Sequence, residues 1–371
     1  MEDKLETLKE RPLLSIIFPN RGHFDYAQET IRNILEIEDS RFELIINDNS
    51  SPEKFDYSPF LSDKRVSLYV EENVLSMNKN WWNGLSRARG KWVTFIGADD
   101  GVVSQNFPEF LNNLEVTESE VVTTRQSVFS YSLNQRPPQL QIPSNRPKRD
   151  SKVISYPFRR AAFFPQLRNT VLPIPYNGSV VKLELLANVL TNSSQIPGIA
   201  PDDYLGQYVA QYCKKGLFLD LLVFIQGTSE RSNGIQIHQK IVSTHSTEFE
   251  SDSKKSMGRL IKRFGLDCIA AVALEHYFIV WEELNRKQNP LSLTFSTYWC
   301  SLTCHNKRHS HGSSSKYTAL FLTTFVNISV SIIRKSWLFR NFGFKIPFRS
   351  ISIELLPDST VRTASSVLST Y

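Results

Sequence analysis

A chain of 371 residues that is 41% hydrophobic and 22% charged has the composition of a globular protein, long enough to bury a substantial core and too short for three ordinary domains. Its four cysteines (Cys213, Cys268, Cys300, Cys304) lie at uneven spacings that exclude a disulfide framework, and its charged first ten residues lack the apolar run of a secretory signal, so a reducing, cytoplasmic setting is expected. The net charge of +6 belongs to the tail: residues 301–371 hold nine Lys/Arg and two acids, against 34 bases and 35 acids in residues 1–300, which leaves no basic stripe for nucleic acid.

The apolar run Leu13–Phe18 reads as a first strand that stops at Pro19, because proline has no N–H to give a central ladder. Asp25 and Gln28 are spaced as a capping box, and Ala27, Ile31, Ile34 and Leu35 share one helical face behind it. A second strand, Phe42–Ile46, runs out into Asn47-Asp48-Asn49-Ser50; a third, Val66–Val70, precedes a helix from about Ser76 to Arg89 that Gly90 would end as a C-cap. A fourth strand, Trp92–Ile96, exits into Gly97-Ala98-Asp99-Asp100-Gly101. Strands alternating with helices predict an α/β fold with a mostly parallel sheet, and in such sheets ligands bind outside the carboxyl ends of the strands, where these polar clusters fall.

Residues 132–152, rich in proline, read as a long loop, and 155–234 as a mixed region containing the strand-like Leu217–Ile225. After Gln236 the pattern turns helical, notably over Cys268–Leu284. These shifts predict a catalytic domain over residues 1–240 and a helical, basic C-terminal extension over 241–371. In the extension, Tyr317–Ile333 is 17 residues of mainly apolar character followed by Arg334, Lys335 and Arg340, with Trp337, Phe339, Phe342, Phe344 and Phe348 interleaved. That length and charge fit an interfacial helix on an anionic membrane face, and equally a buried helix of the tail.

Asp99 and Asp100 are a carboxylate pair at a strand end whose adjacent side chains diverge, so one can bind a hard divalent cation, Mg²⁺ or Mn²⁺, with substrate phosphate oxygens while the other reaches a sugar hydroxyl. Ser15-Ile16-Ile17-Phe18-Pro19-Asn20, Asn47-Asp48-Asn49-Ser50, Asn80-Trp81-Trp82-Asn83-Gly84 and Arg89-Gly90-Lys91-Trp92 through Asp99-Asp100-Gly101, in this order, resemble glycosyltransferase family 2. The resemblance implies a GT-A fold, a mostly parallel, Rossmann-like mixed sheet flanked by helices, and an inverting transfer of sugar from a nucleotide-diphosphate sugar to a hydroxyl of a glycan or lipid-linked acceptor. It implies that Pro19, Asn20 and Asp48 hold the nucleobase, with Arg21 and Asn80 in the same donor-binding set. It further implies that Asp99 faces the ribose or phosphate and that Asp100 holds the metal. The general base falls on the acidic pair that opens the helical stretch to Tyr212, with Asp203 the first choice and Asp202 the alternative. The chain departs from the family's pattern at Gly97 and at Asn47, where acids are usual.

Gly227–Gly234 is a small-residue loop that either closes over the diphosphate or lies on the surface. His238 and His245 are candidate additional metal ligands, and the cluster Cys300, Cys304, His305, His309, His311 reads as chance rather than as a zinc site.

Overall fold

The computed structural model describes residues 11–52, 54–132, 136–143, 152–154, 173–230, 232, 269–283, 350–356 and 358–369. His238, His245, the 300–311 cluster and the Tyr317–Ile333 segment with its basic, aromatic flank lie outside the described residues. Among those described, no helix is long and apolar enough to cross a membrane.

The first half is built as its hydrophobic periodicity dictates. Strands β1 (Leu14–Asn20), β2 (Phe42–Asp48), β3 (Val66–Val70) and β4 (Trp92–Phe95) form a parallel unit in the order β3-β2-β1-β4. β2 is buried at every position and β1 at all but Pro19, the near-continuous burial of strands covered on both faces. β1 extends to Asn20, past the proline expected to end it. The Ile17 carbonyl accepts from Ile96 on the β4 side. Pro19, two residues on, faces that same side after β4 pairing has stopped, so no ladder bond is lost.

Helix α1 (Phe24–Leu35) buries Ala27, Ile31 and Ile34 as expected, but His23 in a left-handed conformation (φ 58°) is its N-cap, and Asp25 lies in the first turn, where the helix dipole favours its charge. After the short helix α2 (Ser58–Leu61) and β3, helix α3 (Met77–Arg87) is capped by the Ser76 side chain, which accepts from the Lys79 N–H. Gly90 is not a left-handed C-cap. It is glycine because a Cβ there would lie 2.6 Å from the Ser15 nitrogen, and its N–H donates to Ser15 Oγ at 2.8 Å. That hydroxyl donates to the buried Glu43 carboxylate, which Arg89 also holds through its backbone and guanidinium, so the buried charge is paired.

Beyond β4 the sheet turns mixed. After β5 (Gly101–Val102) and α4 (Phe107–Val116) come β6 (Val121–Ser130), β7 (Gln139–Pro143), β8 (Lys152–Ile154) and β9 (Ser179–Lys182). β9 lies antiparallel between β4 and β6, and β7 antiparallel outside β6. β7 falls in the stretch read from sequence as loop, and β8 begins at its end. Helices α5 (Ala187–Asn192) and α6 (Pro201–Tyr212) precede β10 (Gly216–Thr228), which pairs parallel with β6 and antiparallel with β5 and β8. This α/β architecture, a partly parallel mixed sheet flanked by helices, is the class expected.

Helix α7 (Ile269–Glu283) packs on α6. The last elements, β11 (Ser350–Glu354) and α8 (Val361–Leu368), fall in the stretch read as a separate extension, yet β11 pairs antiparallel with β7. Val361, Ala364 and Leu368 are buried in one cluster with Phe129, Leu140 and Ile225. Burying one such aliphatic side chain stabilises by about 1.5–3 kcal/mol, which ties α8 into a hydrophobic cluster of the sheet.

Candidate functional site

The β1–β2 register sets Pro19 beside Asn47 and Asn20 beside Asp48 at the carboxyl end of the sheet. Asp48 is buried and organises the loop after β2: Oδ1 accepts from the Ser51 N–H (2.9 Å) and hydroxyl, and Oδ2 from the Tyr57 hydroxyl (2.9 Å). Burial and the Asp48 charge push the Tyr57 phenol well above its ordinary range, so that hydroxyl keeps its proton and remains a donor. Arg21 Nη1 reaches the Asn49 and Ser50 carbonyls at 3.0 Å each, which ties the ends of β1 and β2 into one rim.

Asn80 does not project from that rim. It is buried on α3, where its Oδ1 accepts from the Asn47 amide; Asn47 also donates to Glu71 (3.2 Å) and accepts from Arg87, which pairs with Glu71 at 2.8 Å. Asn47 therefore acts as donor and acceptor at once. An aspartate in its place would lose both donations and set a second negative charge against Glu71, which accounts for asparagine where the family pattern has an acid.

The acidic pair after β4 splits by environment. Asp100 is fully buried: Oδ2 accepts from the Gly97 N–H (2.7 Å) and the Tyr176 hydroxyl (2.8 Å), and Oδ1 from the Gly227 N–H (2.8 Å). Burial, and secondarily the charge of Asp99, push its carboxyl up to about 7. Helix α1 fixes the same turn from below, with Thr30 Oγ1 donating to the Ala98 and Asp100 carbonyls (2.8 and 2.6 Å).

Asp99 is only partly buried, and its Oδ2 accepts from the hydroxyls of Ser229 (2.7 Å) and Ser232. A hard cation needs an accessible carboxylate and takes the rest of its ligands from phosphate oxygens and water. Asp99 fits that requirement. Asp100, named as the metal ligand from sequence, does not, because its oxygens are enclosed and engaged by three protein donors. Among the described residues no three His, Cys, Asp or Glu converge as a ready-made metal site.

Gly97 is explained by the same contacts. A Cβ there would meet the Tyr176 hydroxyl at 2.7 Å and Asp100 Oδ2 at 2.8 Å, so Tyr176 occupies the space an acid would need. Tyr176 is held by Trp81 at a ring separation of 5.6 Å, and Trp81 stacks on Phe95 at 4.2 Å. Gly227 is still tighter, since a Cβ would come within 1.6 Å of the Asp99 carbonyl oxygen. The described part of the 227–234 loop thus packs onto the acidic pair.

The second acidic pair opens α6 and also splits. Asp203 is buried, with Oδ2 3.1 Å from His276 Nδ1 on α7. Asp202 is partly exposed; burial raises the Tyr176 phenol, the charges of Asp100 and Asp99 add to this, and Asp202 contributes last. Asp203, preferred from sequence as the base, is therefore directed into the α6–α7 contact. Tyr176, Gly227, Ser229, Ser232 and His276 were not singled out individually from sequence; the Gly-Thr-Ser run at 227–229 was the one local signal for any of them.

Residues 15–174 match a family model described as glycosyl transferase family 2. A curated relative, "Putative teichuronic acid biosynthesis glycosyltransferase TuaG" of Bacillus subtilis (strain 168), is 31% identical over 99 residues, 24% of this chain and 37% of that protein. The chain thus spans little more than a third of that relative's length. Among solved structures, S. aureus TarS 1-349 in complex with UDP-GlcNAc aligns at 12% identity and a TM-score of 0.45, over 74% of this chain and 93% of that one. The mannosyltransferase PcManGT of Pyrobaculum calidifontis, in complex with GDP-Man and Mn²⁺, aligns at 15% identity and a TM-score of 0.41, over 90% and 85%.

Proposed function

From the match of residues 15–174 to the glycosyl transferase family 2 model, we propose that the protein transfers a sugar, with inversion, from a nucleoside-diphosphate sugar to a hydroxyl of a glycan or lipid-linked acceptor. The observation that carries this reading is the division of labour in the acidic turn. Asp100 is enclosed and braces the backbone, which leaves Asp99 accessible at the carboxyl end of β4 beside the Asn20–Asp48 rim. Nucleobase and ribose lie along that rim, with Pro19 and Asn20 lining it, Asp48 holding the loop behind it through Ser51 and Tyr57, and Arg21 bracing it. Asn80 acts from behind by holding Asn47.

Asp99 is the protein's ligand for a divalent cation, Mn²⁺ or Mg²⁺, whose charge would stabilise the departing diphosphate. Ser229 and Ser232 orient the Asp99 carboxylate through Oδ2. The acceptor hydroxyl attacks the anomeric carbon as the bond from that carbon to the diphosphate oxygen breaks, and its proton passes to Asp202, the accessible member of the second pair. The products are the glycoside and a nucleoside diphosphate. The basic, aromatic tail segment would hold the enzyme at the cytoplasmic face of a membrane that carries the acceptor.

Incubating the full chain and Mn²⁺ with a panel of uridine- and guanosine-diphosphate sugars tests this. Slow release of nucleoside diphosphate to water, with the freed sugar of inverted anomeric configuration by proton NMR, is the expected result. Retained configuration would remove the single-displacement mechanism. No turnover and no donor binding by folded protein would instead favour a catalytically inactive scaffold of a membrane-associated glycan-assembly complex.

A further inference from the structure

We infer that His276, on α7 and far along the chain from the acidic motifs, is a positioning residue for the Asp202 carboxylate, an inference that rests on the sugar-transfer reading above. The ring is completely buried. Its Nε2 accepts from the backbone N–H groups of Ile199 (3.1 Å) and Ala200 (3.2 Å), the two residues that lead into α6. Ala200 is the N-cap of that helix and offers no side-chain cap, so a ring from another helix supplies an acceptor where the sequence has none.

These partners fix the state of the ring. Two donors converge on Nε2, which must therefore be unprotonated. The proton is on Nδ1, which faces only acceptors, Asp203 Oδ2 at 3.1 Å and the Val272 carbonyl at 2.9 Å. His276 is thus an Nδ1–H imidazole bridging the Asp203 carboxyl and the backbone at 199–200.

The same segment is gripped from its other side. Asn78 on α3 donates to the Ile196 carbonyl at 2.8 Å and the Gly198 carbonyl at 3.0 Å. Gly198 adopts φ +85°, and a Cβ on it would fall 2.3 Å from His276 Nε2, so the segment is shaped around the ring. Residues 196–203 are therefore clamped between α3 and α7. Within one helical turn, Asp203 is buried against His276 while Asp202 stays partly exposed. Without the ring, nothing among the described contacts holds the Ile199 and Ala200 N–H groups, and the first turn of α6 loses its fixed direction.

The test uses the full chain with Mn²⁺ and the donor it turns over. Misplacing a catalytic group by about 1 Å can cost roughly 100-fold in rate. His276→Leu is expected to lower kcat by roughly 10- to 100-fold while the dissociation constant for the nucleoside diphosphate stays within about twofold. His276→Gln, whose amide oxygen can accept from residues 199–200, is expected to recover most of the loss. Gly198→Ala, which crowds the ring and strains the φ +85° backbone of the clamped segment, should reproduce the His276→Leu phenotype if His276→Leu itself does not fold.

A readout independent of turnover is the long-range ¹⁵N–¹H spectrum of the ring, assigned by its loss in His276→Gln, with the Nδ1–H pattern expected at neutral pH. An Nε2–H or cationic ring, or unchanged kcat in every folded variant, overturns the inference. Wild-type protein that turns over no donor defeats the functional reading instead, and is told apart because the ring spectrum would still show Nδ1–H.

Discussion

The Tyr176 hydroxyl donates to Asp100 Oδ2 at 2.8 Å across the position where Gly97 leaves room for it. A strand-end turn, a residue far downstream and an aromatic column through Trp81 and Phe95 thus support one buried carboxylate. Tyr176→Phe keeps the ring stack and removes one of three donors from that carboxylate. Depriving a buried charged acceptor of a donor costs about 1–3 kcal/mol. A urea titration should show a loss of that size, and an unchanged midpoint would mean that Asp100 does not depend on Tyr176.

Gly227 brings β10 against the acidic turn so closely that its Cα faces the Asp99 carbonyl. Gly227→Ala forces the strand end away and breaks the bond from its N–H to Asp100 Oδ1. We expect lower thermal stability together with weakened Mn²⁺-dependent nucleotide binding, because Ser229 and Ser232 move with the strand. A variant with wild-type melting temperature and binding would contradict the close approach.

The C-terminal helix offers a test far from the site. Leu368 is buried in the cluster shared by β6, β7 and β10, and Arg362 on the same helix pairs with Glu36 on α1. Leu368→Ala should cost about 2–5 kcal/mol, the range for emptying a core leucine site. Arg362→Ala, at a largely exposed pair, should cost under about 1 kcal/mol. Equal and small effects in chemical denaturation would show that α8 is not part of the core.

Glu71 links stability to pH. Partial burial pushes its carboxyl up, but the hydrogen bond from Asn83, the charge of Arg87 and the bonds from Asn47 and Arg87 outweigh this and hold it below its ordinary 4.5. The folded state therefore prefers the ionised form. The stability this contributes is present above about 4.5 and is lost as pH falls through the depressed value. Glu71→Gln should be less stable than wild type at pH 7, with the gap closing as both are titrated into acid; a gap that does not vary with pH would remove this account.

The parallel half of the sheet was legible because its strands are apolar on both faces and its helices show a clean period, so β1 to β4, α1 and α3 follow from local pattern. What local pattern cannot carry is pairing between distant segments. β7 and β11 are short and far apart in the chain; β7 is a strand because β6 and β11 satisfy its two edges, and β11 because β7 satisfies its ladder. Burial also distinguishes neighbours that sequence treats alike. Asp99 and Asp100 are adjacent carboxylates, as are Asp202 and Asp203, and which member of each pair is enclosed depends on Tyr176, Gly227 and His276 arriving from elsewhere. Local pattern marks Gly90 as a C-cap and Gly227 as part of a small-residue loop, whereas Gly90, Gly97 and Gly227 are required by close approach without left-handed backbone.

The central claim is that the accessible Asp99, not the enclosed Asp100, joins a divalent cation to a bound nucleoside diphosphate. Calorimetric titration with uridine and guanosine diphosphates, with and without Mn²⁺, on wild type and Asp99→Asn, tests it most directly. The account predicts Mn²⁺-dependent binding of one nucleotide by wild type, lost in an Asp99→Asn protein whose melting temperature is nearly unchanged. Binding that survives in Asp99→Asn with its metal dependence intact would contradict it.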